Sequence, residues 1–577
     1  MTEVEPPKTR DFRGKIGSWP AACALVAATL IGYWVTFVCN LGFARDDWNH
    51  YVNMRDLHVN SSVTEAVWSI ATNDWFGAHE LRIFFGSFLT HYVVSVVGGF
   101  SSLAIYAIQG GMHVASAAIA GWIMWKLLKS RLAAVGTTLL LTFAPTVAQP
   151  AMWINNLFFV QPWFLLCLMV ALLLAKKRSP LWTIATAVLA VACQFSGEAT
   201  IPLLYGALAL FAVLDLRVAT SWGARLRAVT PIVVSAVSMA IYLIAVATRP
   251  ESTQLQLPTW EALASYAQGV RAQFLAMSDV TSAQYGLESV GPSIATVLIA
   301  LLLCLLAVVG ILWTPAGMLA SRTRQLWVLL VLFLSLFLTL VPLFLGMVTG
   351  ARPGPDLRYL YVPSLIFYIL IVAIILMVAQ LLGSRSIRVM RALFCVLVVY
   401  SVCATTFNVV DIWGQQRRID NSIWAKVDPF LDASTQAIVT FNPNHQYLMA
   451  PYLSNAVSDF QADWGVAGRV SWLHPEWERV EVFRDAHRDP SGAIAFRGYY
   501  GDSTACYSEE AGNSVMEGKI VYMTYDYGSR FADLETAPLL VTTNLAEFER
   551  SRDEILSRST DVVRWSEESI EGACVTS

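Results

Sequence analysis

Apolar positions along this chain fall in long unbroken runs, without the strict alternation of half-buried strands. The first runs from about Gly17 to Leu41, enough to cross a hydrocarbon core as a helix, which takes about 20 residues. Ten more follow, at approximately 101–127, 132–149, 157–175, 180–197, 199–216, 228–247, 292–313, 326–346, 359–382 and 390–409. Only helices and closed barrels satisfy their backbone groups inside lipid, so each run predicts a spanning helix. Ile83 to Val97 is apolar but short, and Gly98-Gly99 interrupts it. It predicts a helix lying in the outer interface or re-entering, not a crossing. From about Asp411 the pattern changes to that of a soluble domain. Runs such as Ala437–Phe441, Lys519–Tyr525 and Pro538–Thr543 predict strands, and Leu545 to Ile555 predicts a helix capped by Asn544.

Composition agrees. Of 577 residues, 56% are hydrophobic and only 14% charged, against about a quarter charged in soluble domains. The net charge of −3 says little; where the charges fall says more. Lys8, Arg10, Arg13 and Lys15 precede the first run, which is longer than a signal-peptide core and lacks a clear cleavage site. The later connections alternate. One set carries Lys126, Lys129 and Arg131; Lys176, Lys177 and Arg178; Arg217, Arg225 and Arg227; Arg322 and Arg324; Arg385, Arg388 and Arg391. The other holds Trp153-Ile154-Asn155-Asn156, Gly197-Glu198, the long loop from Arg249 to Pro292, and Arg352 to Arg358. By the positive-inside bias the first set is cytoplasmic and the second external.

The expected architecture is therefore a polytopic α-helical membrane protein of about eleven spans with a C-terminal soluble α/β domain. Residues 1–16 form a cytoplasmic segment. Residues 17–410 form the membrane domain, with a first external loop at 42–100 and a long external loop at 248–291. Residues 411–577 form an external domain. Seven of nine cysteines lie in apolar runs as small hydrophobes. Cys506 and Cys574 lie in the polar tail and, in an oxidising compartment, are a candidate disulfide contributing about 4 kcal/mol in the chain-entropy model.

Candidate chemistry concentrates outside. Asp46-Asp47 stand where the first run ends, crowded by Arg45, Trp48, Asn49, His50 and Tyr51. Transfer to a hydroxyl needs a base for the acceptor proton, which either acid can supply. Neighbours in an extended loop point to different sides, which suits one base and one orienting group. A solvated acidic loop and a site for a hard cation are the other readings, the latter weakened by the lack of a clear third ligand. The string Arg352-Pro353-Gly354-Pro355-Asp356-Leu357-Arg358-Tyr359-Leu360-Tyr361-Val362-Pro363-Ser364 lies at the external mouth of the tenth run. Its guanidinium groups suit a lipid phosphate, or the string is an interfacial anchor belt. Glu198, after Gln194 and Ser196, is a ligand or a charge offset by a helix dipole. Arg82 and Arg271 are further candidate phosphate contacts, with solvation as the alternative for the loop arginines. Trp48, His50, Trp153 and Asn155 are candidate substrate contacts. His50, His79, His91 and His113 show no spacing that compels a metal, and His113, inside a run, is expected to be a hydrogen-bonded core residue.

Taken in order, these landmarks resemble the GT-C superfamily of membrane glycosyltransferases, over roughly residues 20 to 410. Asp46-Asp47 looks like its catalytic acidic motif. Phe143-Ala144-Pro145 with Trp153-Ile154, Ser196-Gly197-Glu198 and Arg358-Tyr359-Leu360-Tyr361-Val362-Pro363-Ser364 look like the branch related to protein O-mannosyltransferases. Gly197, Gln149 and Ile83 depart from that branch, which usually has Lys, an acid and Pro there, and tetratricopeptide repeats are missing. The departures fit a bacterial relative, similar in layout to enzymes that decorate O-antigen (lipopolysaccharide) or other cell-envelope glycans in the periplasm.

The resemblance implies a polyprenyl-phosphate monosaccharide donor, a glycan or lipid-linked acceptor, and an inverting single displacement. Asp46, or else Asp47, deprotonates the acceptor while Arg358 and Arg352 hold the departing phosphate, with Tyr359, Tyr361 and Arg82 beside them. No cofactor is required, and a divalent metal would enter only with a diphosphate donor. The partners implied are the donor, the acceptor and membrane lipids; nothing points to nucleic acid. A protein O-mannosyltransferase-like enzyme, a flippase of lipid-linked sugar and a non-catalytic scaffold are the alternatives. A flippase would place ionisable groups near mid-membrane, whereas this chain gathers them outside.

Overall fold

Each of the eleven runs holds a helix in the computed structural model, which describes residues 19–43, 46–72, 85–144, 157–175, 179–247, 293–315, 321–348, 361–381, 386–441, 463–488, 494–497, 504–507, 518–525 and 539–558. The helices are α1 (Trp19–Asn40), α2 (Asp46–Asn60), α3 (Val63–Thr72), α4 (Phe85–Val97), α5 (Ser102–Leu128), α6 (Arg131–Thr142), α7 (Leu157–Leu174), α8 (Pro180–Gln194), α9 (Ile201–Val218), α10 (Trp222–Ala247), α11 (Ile294–Trp313), α12 (Arg322–Val348), α13 (Tyr361–Leu381) and α14 (Ser386–Phe407). Among the described residues nine helices are long and apolar enough to cross a membrane. Their outward faces carry Leu298, Leu301 and Leu305 or Val233, Val237 and Ile241, all exposed, as lipid contact demands. The chain is an integral membrane protein.

Two expected spans are shorter than predicted. Helix α6 has 12 residues, about 18 Å at 1.5 Å per residue, well under the roughly 30 Å of hydrocarbon. It stops two residues before Ala144-Pro145, where the residue preceding proline is biased away from helix. Its terminal carbonyls are satisfied from neighbouring helices: His113 Nε2 lies 3.2 Å from the Thr142 oxygen, and Thr405 Oγ1 donates to the Phe143 oxygen at 2.7 Å. Helix α8 has 15 residues. The short apolar run before Gly98 is the 13-residue helix α4, packed against α3, α5 and α7.

Three of the basic connections meet at one end of the bundle. Arg131 stacks over Trp19 at 5.2 Å, Arg324 Nη2 donates to the Lys126 oxygen at 2.9 Å, and Arg391 Nη2 donates to the Thr314 oxygen at 2.7 Å. The last two sit at the C-terminal ends of α5 and α11, where cations meet unsatisfied carbonyls and the negative end of the dipole.

At the other end α14 runs through a π-helical turn (Asn408–Trp413) into α15 (Gly414–Val427), so the last span enters the C-terminal domain without a break. The buried Asp411 carboxylate accepts from Ser293 N at 3.1 Å and ties the start of α11 to this turn. The domain adds β1 (Thr435–Phe441), α16 (Asp463–Leu473), β2 (Glu481–Phe483), β3 (Asp485–Arg488), β4 (Ile494–Arg497), β5 (Thr504–Tyr507), β6 (Lys519–Tyr525), β7 (Leu539–Thr542) and α17 (Leu545–Arg558). One sheet has the order β2-β1-β6-β7, parallel except for β7, and β3-β4-β5 form an antiparallel second. Successive residues of β1 alternate in direction. Ile438 joins Trp424, Val466 and Met523, while Ala437 and Val439 join Phe496, Tyr522 and Phe548. The sheet is thus covered on both faces, and the three predicted strands belong to it. Asn544 caps α17 as expected, its Oδ1 accepting from Ala546 N at 3.0 Å.

Candidate active site

The acidic pair does not lie in an extended loop. It forms the first turn of α2, where carboxylates meet free N–H groups and the positive end of the helix dipole. Neighbours on a helix are about 100° apart, so Asp46 and Asp47 hold different positions around α2. The Asp47 side chain is wholly buried. The Tyr106 hydroxyl, on α5, points at Asp47 Oδ2 at 3.4 Å and at the Gly42 oxygen at 3.0 Å. One turn after Asp47, Tyr51 is fully buried and stacks on Phe43 with ring centroids 4.2 Å apart. Burial, and then the Asp47 charge, push the Tyr51 phenol well above its ordinary range. Of Asp46 only the backbone is described.

A cation missed by the sequence reading completes this cluster. Arg417 of α15 lays its guanidinium directly on Gly42, occupying the space a Cβ would fill. Its charge acts on the Tyr106 hydroxyl. One signal was available: Arg417-Arg418 stand just past the last run, on the side where the positive-inside bias leaves few cations.

The C-terminal domain grips the same helix. Arg55 of α2 donates to the Trp472 oxygen at 2.8 Å and the Ser471 oxygen at 2.7 Å, with its guanidinium 4.8 Å from the Trp472 ring. Arg469 lies over Trp48 at 5.5 Å and over Trp424 at 4.6 Å. A Cβ at Gly468 would stand 2.7 Å from Asn49 N and 3.0 Å from Trp48 Cβ, so α16 approaches α2 as closely as a glycine permits. Trp48, expected to contact substrate, is committed to this interface, edge-on to Phe43 at 5.1 Å. His50, expected likewise, is buried beside Phe88 of α4, ring centroids 5.6 Å apart.

The turn around Glu198 is joined to the start of α4. Ser87 Oγ donates to the Ser196 oxygen at 2.6 Å, Gly86 N to the Phe195 oxygen at 2.8 Å, and Gln161 Nε2 to Ser196 Oγ at 3.0 Å. Glu198 itself opens a three-residue 3₁₀ turn, and only its backbone is described. Gly197 abuts the Phe158 carbonyl of α7, with Pro162 Cγ 3.0 Å from where a Cβ would stand. A lysine, as in the resembling branch, has no room there.

Tyr361 differs from expectation. It is fully buried and its hydroxyl lies 2.9 Å from His113 Nδ1, so it links α13 to α5 within the core; His113 is the hydrogen-bonded core residue expected. Arg82, Trp153, Asn155, Arg271, Arg352, Arg358, Tyr359 and Cys574 lie outside the described residues. Cys506 sits in β5, paired through its backbone with Ala495, and its side chain is outside them too. No group of three or more metal-ligating side chains is found among the described residues.

Neither a protein-family profile nor a curated protein matches the chain. Three solved chains do. One is ArnT from Cupriavidus metallidurans bound to undecaprenyl phosphate, 13% identical, with 80% of this chain and 89% of that chain covered at a TM-score of 0.32.

Proposed function

We propose that this chain is an inverting membrane glycosyltransferase, moving a monosaccharide from a polyprenyl-phosphate carrier to a hydroxyl of an envelope glycan or lipid-linked saccharide. The observation that carries the reading is the acid pair at the head of α2, with Asp47 buried against Tyr106 at the junction of membrane bundle and folded domain. A buried carboxylate is costly and is retained where its charge is used. Here Asp47 is the fixed, orienting acid and Asp46 the base. Asp46 takes the acceptor proton as the acceptor oxygen bonds to the anomeric carbon. The bond from that carbon to the carrier oxygen breaks, and its electron pair leaves on the phosphate. Guanidinium groups stabilise that growing charge, a role suited to Arg358 and Arg352.

The test is transfer from a panel of polyprenyl-phosphate monosaccharides by membranes holding wild type, Asp46→Asn or Asp47→Asn, with and without chelator. Loss of a general base costs about 100- to 10,000-fold, so Asp46→Asn should fall by that much with lipid binding retained. Full activity in Asp46→Asn removes it as the base. Movement of the lipid-linked sugar across the bilayer without its consumption would replace this reading by a flippase.

A further inference from the structure

The cation placed on Gly42 has no part in the family resemblance, and it comes from the far side of the membrane domain in sequence. We infer that Arg417 is a further binding residue of the proposed active site, supplying from the C-terminal helix a guanidinium that holds the anionic phosphate of the carrier. The inference rests on the polyprenyl-phosphate reading above.

Three observations support it. Gly42 is buried and lies between the end of α1 and the acid pair, and the Arg417 guanidinium fills the space that any side chain there would take. The Gly42 oxygen accepts from the Tyr106 hydroxyl at 3.0 Å, and no hydrogen bond from Arg417 to it is found among the described residues. Arg417 is half-buried, and among the described residues it forms none of the ion pairs, which involve Arg55, His474, Lys519 and Arg552. A guanidinium partly withdrawn from water suits a phosphate, to which it can offer two parallel donors. The unbroken passage from α14 through the π turn into α15 fixes it there. The C-terminal domain would then contribute directly to donor binding.

The experiment measures direct binding to the full-length protein in lipid nanodiscs, with three probes: a polyprenyl phosphate without sugar, the polyprenol of the same length, and inorganic phosphate. The variants are Arg417→Ala, Arg417→Lys and Gly42→Ala, whose new methyl group displaces the guanidinium. Wild type should prefer the lipid phosphate to the polyprenol. Charged hydrogen bonds of this kind correspond to about 10- to 100-fold in affinity, so Arg417→Ala should weaken the lipid phosphate by that factor and leave the polyprenol unchanged. Arg417→Lys should fall between, and Gly42→Ala should follow Arg417→Ala. Competition by inorganic phosphate at similar concentration would support the anion site and assign it to free phosphate. Equal binding of the lipid phosphate by wild type and Arg417→Ala overturns the inference while leaving the carrier reading intact. Equal binding of phosphate and polyprenol by wild type overturns both. Unchanged binding with a shifted pH profile of transfer would make Arg417 a counter-ion of the acids, which also overturns it. Hydrogen exchange over 414–427 separates any of these losses from unfolding of α15.

Discussion

Replacing Arg55 by alanine should release the C-terminal domain from the acid-bearing helix. Arg55 is 19% exposed and puts two donors on the Trp472 and Ser471 oxygens. Those carbonyls lie in the last turn of α16, where a helix has no partners of its own. A hydrogen bond to a charged group contributes about 1.5–3 kcal/mol, and the cation over Trp472 adds about 0.5–1 kcal/mol where partly exposed. The two hydrogen bonds share one guanidinium and water replaces part of their strength, so about 2–4 kcal/mol is expected for the contact. Its exposed neighbour Asp56, 3.9 Å away, adds little. Two to four kcal/mol correspond to about 30- to 1,000-fold in the opening equilibrium of α16. Hydrogen exchange of residues 463–473 in the full-length protein reads that factor directly. Arg55→Lys keeps the charge but loses the planar fork, so it should recover only part of the protection. Gly468→Val offers an independent perturbation, since its side chain would enter α2. Unchanged exchange of 463–473 in Arg55→Ala would refute the idea that this residue holds the domain on α2.

Two further outcomes follow from single sites. Gly197→Ala drives a methyl group into the Phe158 carbonyl; overpacking of this kind costs about 1–3 kcal/mol, so the melting temperature should drop by several degrees, and an unchanged value would show that the turn can move away from α7. Hydrogen bonds from Lys519, then Ser434, hold the exposed Asp432 at a pKa of about 2. Because the folded value is the lower one, its stabilisation is complete above the ordinary aspartate range and is lost as pH falls toward about 2. Asp432→Asn should therefore flatten the pH dependence of unfolding of the C-terminal domain between about pH 4 and 2, and high salt should shrink the difference between the two proteins.

How much of this was legible follows from the range of the forces involved. Run length is local, so eleven helices could be read directly, and so could strands such as those at 437–441 and 519–525. The early end of α6 was also written locally, in Ala144-Pro145, but a run continuing to residue 149 hid it. The acid pair was singled out for its chemistry and misjudged in conformation, because Asp46-Asp47 is equally a polar loop and a helix N-terminus. Nothing local distinguished Trp48 as a docking residue or Tyr361 as a core one; each role belongs to a partner hundreds of residues away, Trp472 in one case and His113 in the other. The same distance explains Arg417. Its place on Gly42 is set by the register that the π turn imposes between α14 and α15, and a π turn leaves no pattern in side-chain hydrophobicity. One global consequence could nevertheless be deduced. An even number of crossings between residues 41 and 411 puts the acid helix and the C-terminal domain on one side of the membrane, and counting ten crossings or eight gives the same parity. The contacts of α2 with α16 require that parity. The two parts that meet there are encoded at opposite ends of the chain, so a truncation after α14 should remove Arg417 and every support of α2 from α16 at once, while leaving the described spans in place.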